Sequence, residues 1–223
     1  MSGMSMWWPL AGLRLRTPRL ELRPASDADL DALADLASAG VHDPEVQPFT
    51  FPWTDVPPEE RARNVLRYHW SQRAAWKPDS WSLDLAVIRD GTVMGTQGVS
   101  AHDFAILREV STGSWLGREY QGDGIGTEMR AAVLHLAFAG LGAEYAISGA
   151  FSDNRASQGV SCKLGYAADG VERHVSRGRP AAVQRFRLDR GTWEATKAIP
   201  VTIVGLEPCL QMFGLPAAHD QAS

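Results

Sequence analysis

Apolar and charged residues alternate through the opening stretch LRLRTPRLELRPA on both sides of Thr17-Pro18. A period of two predicts two short strands there, or one bent edge strand. The period then changes. In SDADLDALADLASAG, Leu30, Leu33 and Leu36 recur at helical spacing, and Ser26 followed by Asp29 resembles a capping box with Asp in the Glu position. The next segment, VHDPEVQPFTFPWTDVPP, carries five prolines in 18 residues and must be irregular. Its aromatics Phe49, Phe51 and Trp53 are expected to cover the core, with a substrate-facing loop as the alternative. A second helix is predicted from Pro58 to about Lys77, with Val65, Leu66, Tyr68, His69 and Trp70 in its middle.

WSLDLAVIRDGTVMGTQGVSAHDF holds two β-rich runs joined by Asp90-Gly91, a strong hairpin signal. EVSTGSWLG gives a further strand that runs into the glycine-rich QGDGIG. A helix follows from about Gly124, its apolar face carrying Met129, Ala132, Val133, Leu136 and Ala137. EYAISGAFSDN then reads as a strand, NRASQGVSCKLG as a short helix closed by Gly165, and AAVQRFRLDR as the last long strand. This order of strands and helices predicts an α+β (mixed α/β) domain with a central sheet, not a doubly wound one. No internal repeat interrupts it. The domain is expected over residues 1–195, with 196–223 as a C-terminal extension. Within the extension, Val201 to Val204 reads as a strand that covers the domain or joins a neighbouring copy in a homo-oligomer, and AAHDQAS as a disordered tail.

Composition narrows the classes. With 223 residues and 44% hydrophobic content the chain can bury a real core. A net charge of −4 and a pI near 5.9 give no basic footprint for duplex nucleic acid. No run approaches the ~18 apolar residues of a membrane span, and MSGMSMWWPLAG lacks the basic start and apolar core of a signal peptide. A cytoplasmic protein with no membrane or nucleic-acid partner is expected. Cys162 and Cys209, without a CxxC or a His/Cys cluster, suggest neither a disulfide framework nor a metal site.

The candidate chemistry sits in QGDGIG. Glycines at 122, 124 and 126 tolerate positive φ and let backbone come close to a ligand. The amides from Gly122 to Thr127 open a helix, where unpaired N–H groups and the helix dipole favour an anion such as pyrophosphate. The alternative is a tight strand-to-helix turn with no ligand. A P-loop is excluded because no lysine occurs between Lys77 and Lys163. The dinucleotide fingerprint G-x-G-x-x-G fails as well, since its third glycine would fall on Thr127 or Met129.

Gln121, Gly124 and Gly126 complete Q-x-x-G-x-G, which resembles the acyl-CoA signature of the GCN5-related N-acetyltransferases (GNAT). Asn154 and Ser157 in DNRAS, then KLGY at Lys163 to Tyr166, resemble that family's N-x-x-S and K-L-G-F/Y elements. TPRLELRPASDADLDAL resembles the start of the branch that acetylates ribosomal-protein N-termini. GSWLG, YQG and GTEMRAAVL are similar to a small bacterial group described as succinyltransferases. The resemblance spans about residues 12 to 195.

It implies a mixed, largely antiparallel sheet flanked by helices and splayed at an acyl-CoA site, with acetyl-CoA or succinyl-CoA as cosubstrate and no metal. A primary amine, on a protein N-terminus, a lysine or a small molecule, would attack the thioester directly in a ternary complex. Backbone of Ser114 to Gly117, including Trp115, Leu116 and Gly117, would pair with the pantetheine arm. Gln121, Gly122, Asp123, Gly124, Ile125, Gly126 and Thr127 would hold the pyrophosphate, and an N–H near Leu116 the oxyanion. Asn154 and Ser157 would also meet the cofactor, with Ser157 protonating the thiolate or orienting a water. The base stays open between Glu109, 15 residues before Gly124, and Asp103, with Glu172 and His174 near a third position. Cys162 is expected to be an ordinary core thiol. Trp53, Trp70, Trp76, Trp81 and Trp115 wall a cleft or fill the core. A succinyl carboxylate would need a cation, with Arg67, Arg73, Lys77 and Arg108 as candidates. The competing class is a non-catalytic acyl-CoA-binding module.

Overall fold

The structure, a computed structural model, describes residues 4–217. A four-residue helix α1 (Met4–Trp7) leads into the hairpin of β1 (Arg14–Arg16) and β2 (Glu21–Pro24), so the opening alternation makes two strands. Helix α2 (Asp27–Ala39) starts at a complete capping box: Ser26 Oγ accepts from the Asp29 amide, and the Asp29 carboxylate accepts from the Ser26 amide. The proline-rich segment is a loop, and α3 (Pro58–Ala75) follows. The long hairpin of β3 (Ser80–Arg89) and β4 (Thr92–His102) turns at Asp90 and Gly91, both at positive φ. After the short α4 (Phe104–Leu107) come β5 (Glu109–Leu116), α5 (Ile125–His135), β6 (Tyr145–Phe151), α6 (Arg155–Lys163), β7 (Ala167–Ser176), β8 (Arg179–Asp189), α7 (Arg190–Thr196) and β9 (Thr202–Val204).

All nine strands form one sheet, ordered β7-β8-β6-β5-β4-β3-β2-β1-β9. Alternate residues of β3 feed opposite faces, as the pleat requires. Leu83, Leu85 and Val87 join the larger core beneath α5 with Met129, Val133 and Phe138. Ala86 and Ile88 join the smaller core beneath α2 and α3 with Leu30, Leu33 and Val65. The sheet is thus a middle layer, with α2 and α3 on one face and α5 on the other.

Two elements differ from expectation. Strand β7 was not predicted, and β1 is not an edge, because β9 pairs with it antiparallel through Leu15 and Ile203. The extension therefore completes the sheet of its own domain. It also plugs the core: Phe213 is fully buried against Trp76 and Trp81. Residues 218–223, the bulk of the expected disordered tail, lie outside the described residues, as do residues 1–3. No helix among the described residues is long and apolar enough to cross a membrane.

Candidate active site

Strands β5 and β6 are the one parallel pair among the described strands, and they stay together for just three residues, Glu109–Ser111 against Tyr145–Ile147. Beyond that point they part. Strand β5 keeps β4 on its other side as far as the Gly95–Leu116 pair, so from Thr112 to Leu116 one edge is paired and the other is open. Backbone amides and carbonyls along such an edge need a partner. A cleft of about 1640 Å³ opens there. It passes through the sheet, with Met129, Arg130 and Val160 of the α5–α6 layer lining one end and Asn64, Tyr68 and His69 of α3 the other.

At the C-terminal end of β5 lies the glycine loop. Gly122 (φ +92°) and Gly124 (φ +78°) take a conformation that a side chain would strain, and Gly124 caps α5 with no side chain of its own. Thr127 and Glu128 N–H both turn back to Gly124 O, at 3.1 Å each, while the amides before them open the helix toward the cleft. A Cβ on Gly122 would meet nothing within 4 Å. The open backbone fits an anion that approaches closely. Gly126 packs its bare side toward Val160, 3.6 Å from where a Cβ would be. Gln121 plays an architectural part: its Nε2 donates to Leu116 O (3.0 Å) and Val41 O (2.8 Å), tying the loop to the end of β5 and to the α2–α3 connection.

A buried clamp holds the loop from behind. Glu128, in the first turn of α5, accepts from Thr17 Oγ1 (2.6 Å), Arg19 N (3.1 Å) and Arg19 Nε (2.6 Å). Arg19 Nη1 also donates to Asp123 O at 3.1 Å. Burial pushes the Glu128 carboxyl upward, but the bonds from Thr17 and Arg19 outweigh it and hold the group below the ordinary glutamate value.

Ser157 and Asn154 line the cleft, as do Trp115, Leu116, Gln121, Gly122, Gly124, Gly126 and Thr127. Asn154 caps α6 by accepting from the Ser157 amide at 3.1 Å. The Ser157 hydroxyl has no partner among the described residues. Gly117 donates to Met94 O and sits against Leu36 and Tyr120, which makes it a packing position. Ile125 is buried in the core. Asp123 turns its backbone carbonyl to Arg19.

The two proposed bases lie elsewhere. Glu109 opens β5 at the end remote from the glycine loop and pairs with Arg187 at 2.5 Å. Asp103 precedes α4, at the far end of β4. Neither lines the cleft. Counting residues back from the glycines carried Glu109 past the point where β5 and β6 separate. Glu172 and His174 of β7 do line the cleft, but hydrogen bonds from Arg185 and His174 hold the exposed Glu172 carboxyl below its usual value.

Cys162 is exposed rather than a core thiol, whereas Cys209 is buried and its thiol is pushed up to about 11 by desolvation. Of the tryptophans, Trp53 and Trp115 stack together at the cleft, Trp76 and Trp81 pack with Phe213, and Trp70 faces solvent. Arg67, Arg73, Lys77 and Arg108 all lie off the cleft. Its cations are Arg118, Arg130, Arg155, Lys163 and Arg185.

Two cleft residues escaped the sequence reading. Arg130 is buried, with Nη1 on Ser161 Oγ (3.0 Å) and Ser148 Oγ (3.5 Å), no acidic partner among the described residues, and Nε unsatisfied. Burial lowers its pKa. Asp84, in mid-β3, faces the cleft and accepts from Ser82 Oγ (2.9 Å) and Tyr68 Oη (3.2 Å). A lone carboxylate inside the apolar run WSLDLAVI was the signal for it. No group of His, Cys, Asp and Glu placed to hold a metal occurs among the described residues.

An open-edged strand leading to an uncapped, glycine-lined helix start is the constellation of the GNAT fold. Residues 19–167 match the Acetyltransferase (GNAT) domain family, and the chain belongs to that family. Solved structures agree on the fold. Mycobacterium smegmatis RimJ in complex with CoA-disulfide superposes with a TM-score of 0.69 at 19% identity, covering 82% of this chain and 90% of that one. An acetyltransferase from T. thermophilus gives 0.66 at 23% identity, covering 82% and 93%. RimL, a ribosomal L7/L12 alpha-N-protein acetyltransferase in complex with coenzyme A, gives 0.61 at 20%, covering 78% and 95%.

Proposed function

We propose that the protein transfers an acyl group from an acyl-CoA thioester to a primary amine by direct attack in a ternary complex. The observation that carries this reading is the parting of β5 from β6 immediately beside the uncapped N-terminus of α5. The amides from Gly122 to Thr127 hold the pyrophosphate, and the open edge from Ser114 to Gly117 pairs with the pantetheine arm as an added strand would. Bound acyl-CoA supplies the activated carbonyl. An N–H near Leu116 polarises it and stabilises the oxyanion. The unpartnered Ser157 hydroxyl donates toward the departing sulfur, directly or through a water.

Acetyl-CoA is the donor on this reading. A succinyl donor is a second reading, supported by Arg130: a buried guanidinium with no acidic partner, at the separation point of the strands, suits a distal carboxylate. Ribosomal-protein amino termini, named for the RimL structure, are a candidate acceptor class.

The test measures thermal unfolding and free-thiol release with acetyl-CoA, succinyl-CoA and CoA over a panel of amines. A ligand at 100 times its Kd adds roughly 2.7 kcal/mol of stability. Stabilisation by CoA species with amine-dependent thiol release is expected. Stabilisation without thiol release would favour the non-catalytic binding module, and no response to any CoA species would overturn both. Loss of a succinyl preference in Arg130→Met would support the second reading.

A further inference from the structure

Sheet register brings three residues into one row. Asp84 of β3 pairs with Gly98 of β4, and Gly98 pairs with Gly113 of β5. Residues directly opposite in antiparallel strands project to the same face. That face belongs to α3, since Ala86 of β3 packs beneath α2 and α3 and Trp115 of β5 joins the same cluster. Two adjacent glycines leave bare backbone between Asp84 and the open segment of β5.

The two glycines differ in what lies above them. A Cβ on Gly98 would stand 2.8 Å from Asp84 Oδ1, whereas one on Gly113 would meet nothing within 4 Å. The carboxylate therefore leans over Gly98 toward β5. With strands roughly 4.8 Å apart, the Asp84 and Gly113 backbones are about 10 Å apart, and the lean takes up part of that gap. A small group could bridge it.

Asp84 has no basic partner among the described residues. The groups that face it from α3 are Tyr68, which donates to Oδ1, and His69, whose pKa is lowered to about 4 by burial and by Arg73, so it is neutral near pH 7. Ser82 donates to Oδ2 from its own strand. Gly98 and Gly113 bring nothing titratable, and Glu172, His174 and Arg185 line the cleft from β7 and β8. A carboxylate fixed by two neutral donors, with no cation paired to it and open to a cleft, is equipped to receive one.

We propose that Asp84 is the acceptor-side catalytic residue: it binds the ammonium of the incoming primary amine and takes its proton, with the Gly98–Gly113 floor as the lane to the thioester. The inference rests on the acyltransferase reading. One N–H proton of R–NH3⁺ passes to the Asp84 carboxylate and on to solvent. The nitrogen lone pair forms the C–N bond, the C–S bond breaks, and the second N–H proton ends on the leaving thiolate. Tyr68 and Ser82 keep the carboxylate aimed, and the lane admits a slender, unbranched amine. Burial raises the Asp84 carboxyl above the ordinary aspartate range, against the opposing bonds from Ser82 and Tyr68, which brings the base closer to working pH.

The experiment compares wild type, Asp84→Asn, Asp84→Glu, Gly98→Ala and Glu172→Gln with acetyl-CoA and a panel of α-amino peptides, lysyl peptides and n-alkylamines. It reads kcat/KM against pH and, separately, stabilisation by acetyl-CoA. Asp84→Asn is expected to lose about 10²-fold or more in kcat/KM together with the acidic limb of the profile, while still being stabilised by acetyl-CoA. Asp84→Glu should recover part of the rate with a shifted limb, and Gly98→Ala, which crowds the carboxylate, should slow turnover without weakening acetyl-CoA binding. An acidic limb unchanged in Asp84→Asn, a rate within about threefold of wild type, or a limb that vanishes in Glu172→Gln instead would overturn the proposal and leave the acyltransferase reading standing. Wild type that binds acetyl-CoA but acylates no amine of the panel would also sink it. Wild type that binds no CoA species would remove the acyltransferase reading itself.

Discussion

Glu128 shows how a side chain remote from the chemistry can govern it. Its carboxylate ties Thr17 and Arg19 to the first turn of α5, and Arg19 in turn holds the carbonyl of Asp123. The glycines that must meet the pyrophosphate are flexible by composition, so their geometry depends on this clamp. Glu128→Ala should weaken acetyl-CoA binding about tenfold, roughly 1.4 kcal/mol, measured by calorimetry. Because the folded pKa is depressed, the stability Glu128 contributes is present above the unfolded glutamate value of about 4.3 and is lost as pH falls through the folded value. Asp84 has the opposite sign. Its raised folded pKa means that its contribution is present below the unfolded aspartate value of about 3.9 and is lost as pH rises through the folded value. Asp84→Asn should therefore keep or raise the unfolding midpoint at pH 8 while reducing turnover, a split that a purely structural residue would not give.

The residues that were legible carry local signals. Gly122 and Gly124 announce positive φ, and Ser26 with Asp29 announces a helix start, because the physics involved spans a few residues. Asp84 was not legible as a site residue. Its surroundings come from Gly98 and Gly113, on strands whose register no short window contains. The same limit misplaced Glu109, whose distance from the glycines is fixed by counting but whose distance from the cleft depends on where β5 and β6 separate.

At the scale of elements, strands with one buried face were read correctly and the strand without one was missed. Nearly every residue of β7 is exposed or half-buried, so no apolar alternation marks it, and pairing with β8 alone defines it. The C-terminal extension gave a clear strand signal but no indication of its partner, which is β1 of the same chain. Its 3₁₀ segment, Glu207–Phe213, buries Phe213 against Trp76 and Trp81. Phe213→Ala should cost about 3–5 kcal/mol of stability, read as a lower denaturant midpoint at unchanged slope. Little direct effect on acyl-CoA affinity is expected, because this cluster lies away from the residues lining the cleft.

In the whole molecule, the sheet is continuous from β9 to β5 and from β6 to β7, and three residue pairs join the two parts. The open edge from Thr112 to Leu116 is where exchange with solvent should be fast for a central strand. Acetyl-CoA should slow deuterium uptake there and leave Thr202–Val204 unchanged. The parting of β5 and β6 has a further consequence for the order of events. The lane from Asp84 ends at Gly113, on the segment whose far edge has no strand beside it, so the donor itself becomes the lane's missing wall. Donor and acceptor affinities are then linked, and each must tighten the other by the same factor. Calorimetric titration of an amine into the free protein should give little heat, and the same titration with a non-transferable CoA analogue in place should give saturable binding: the first substrate to arrive builds the site of the second.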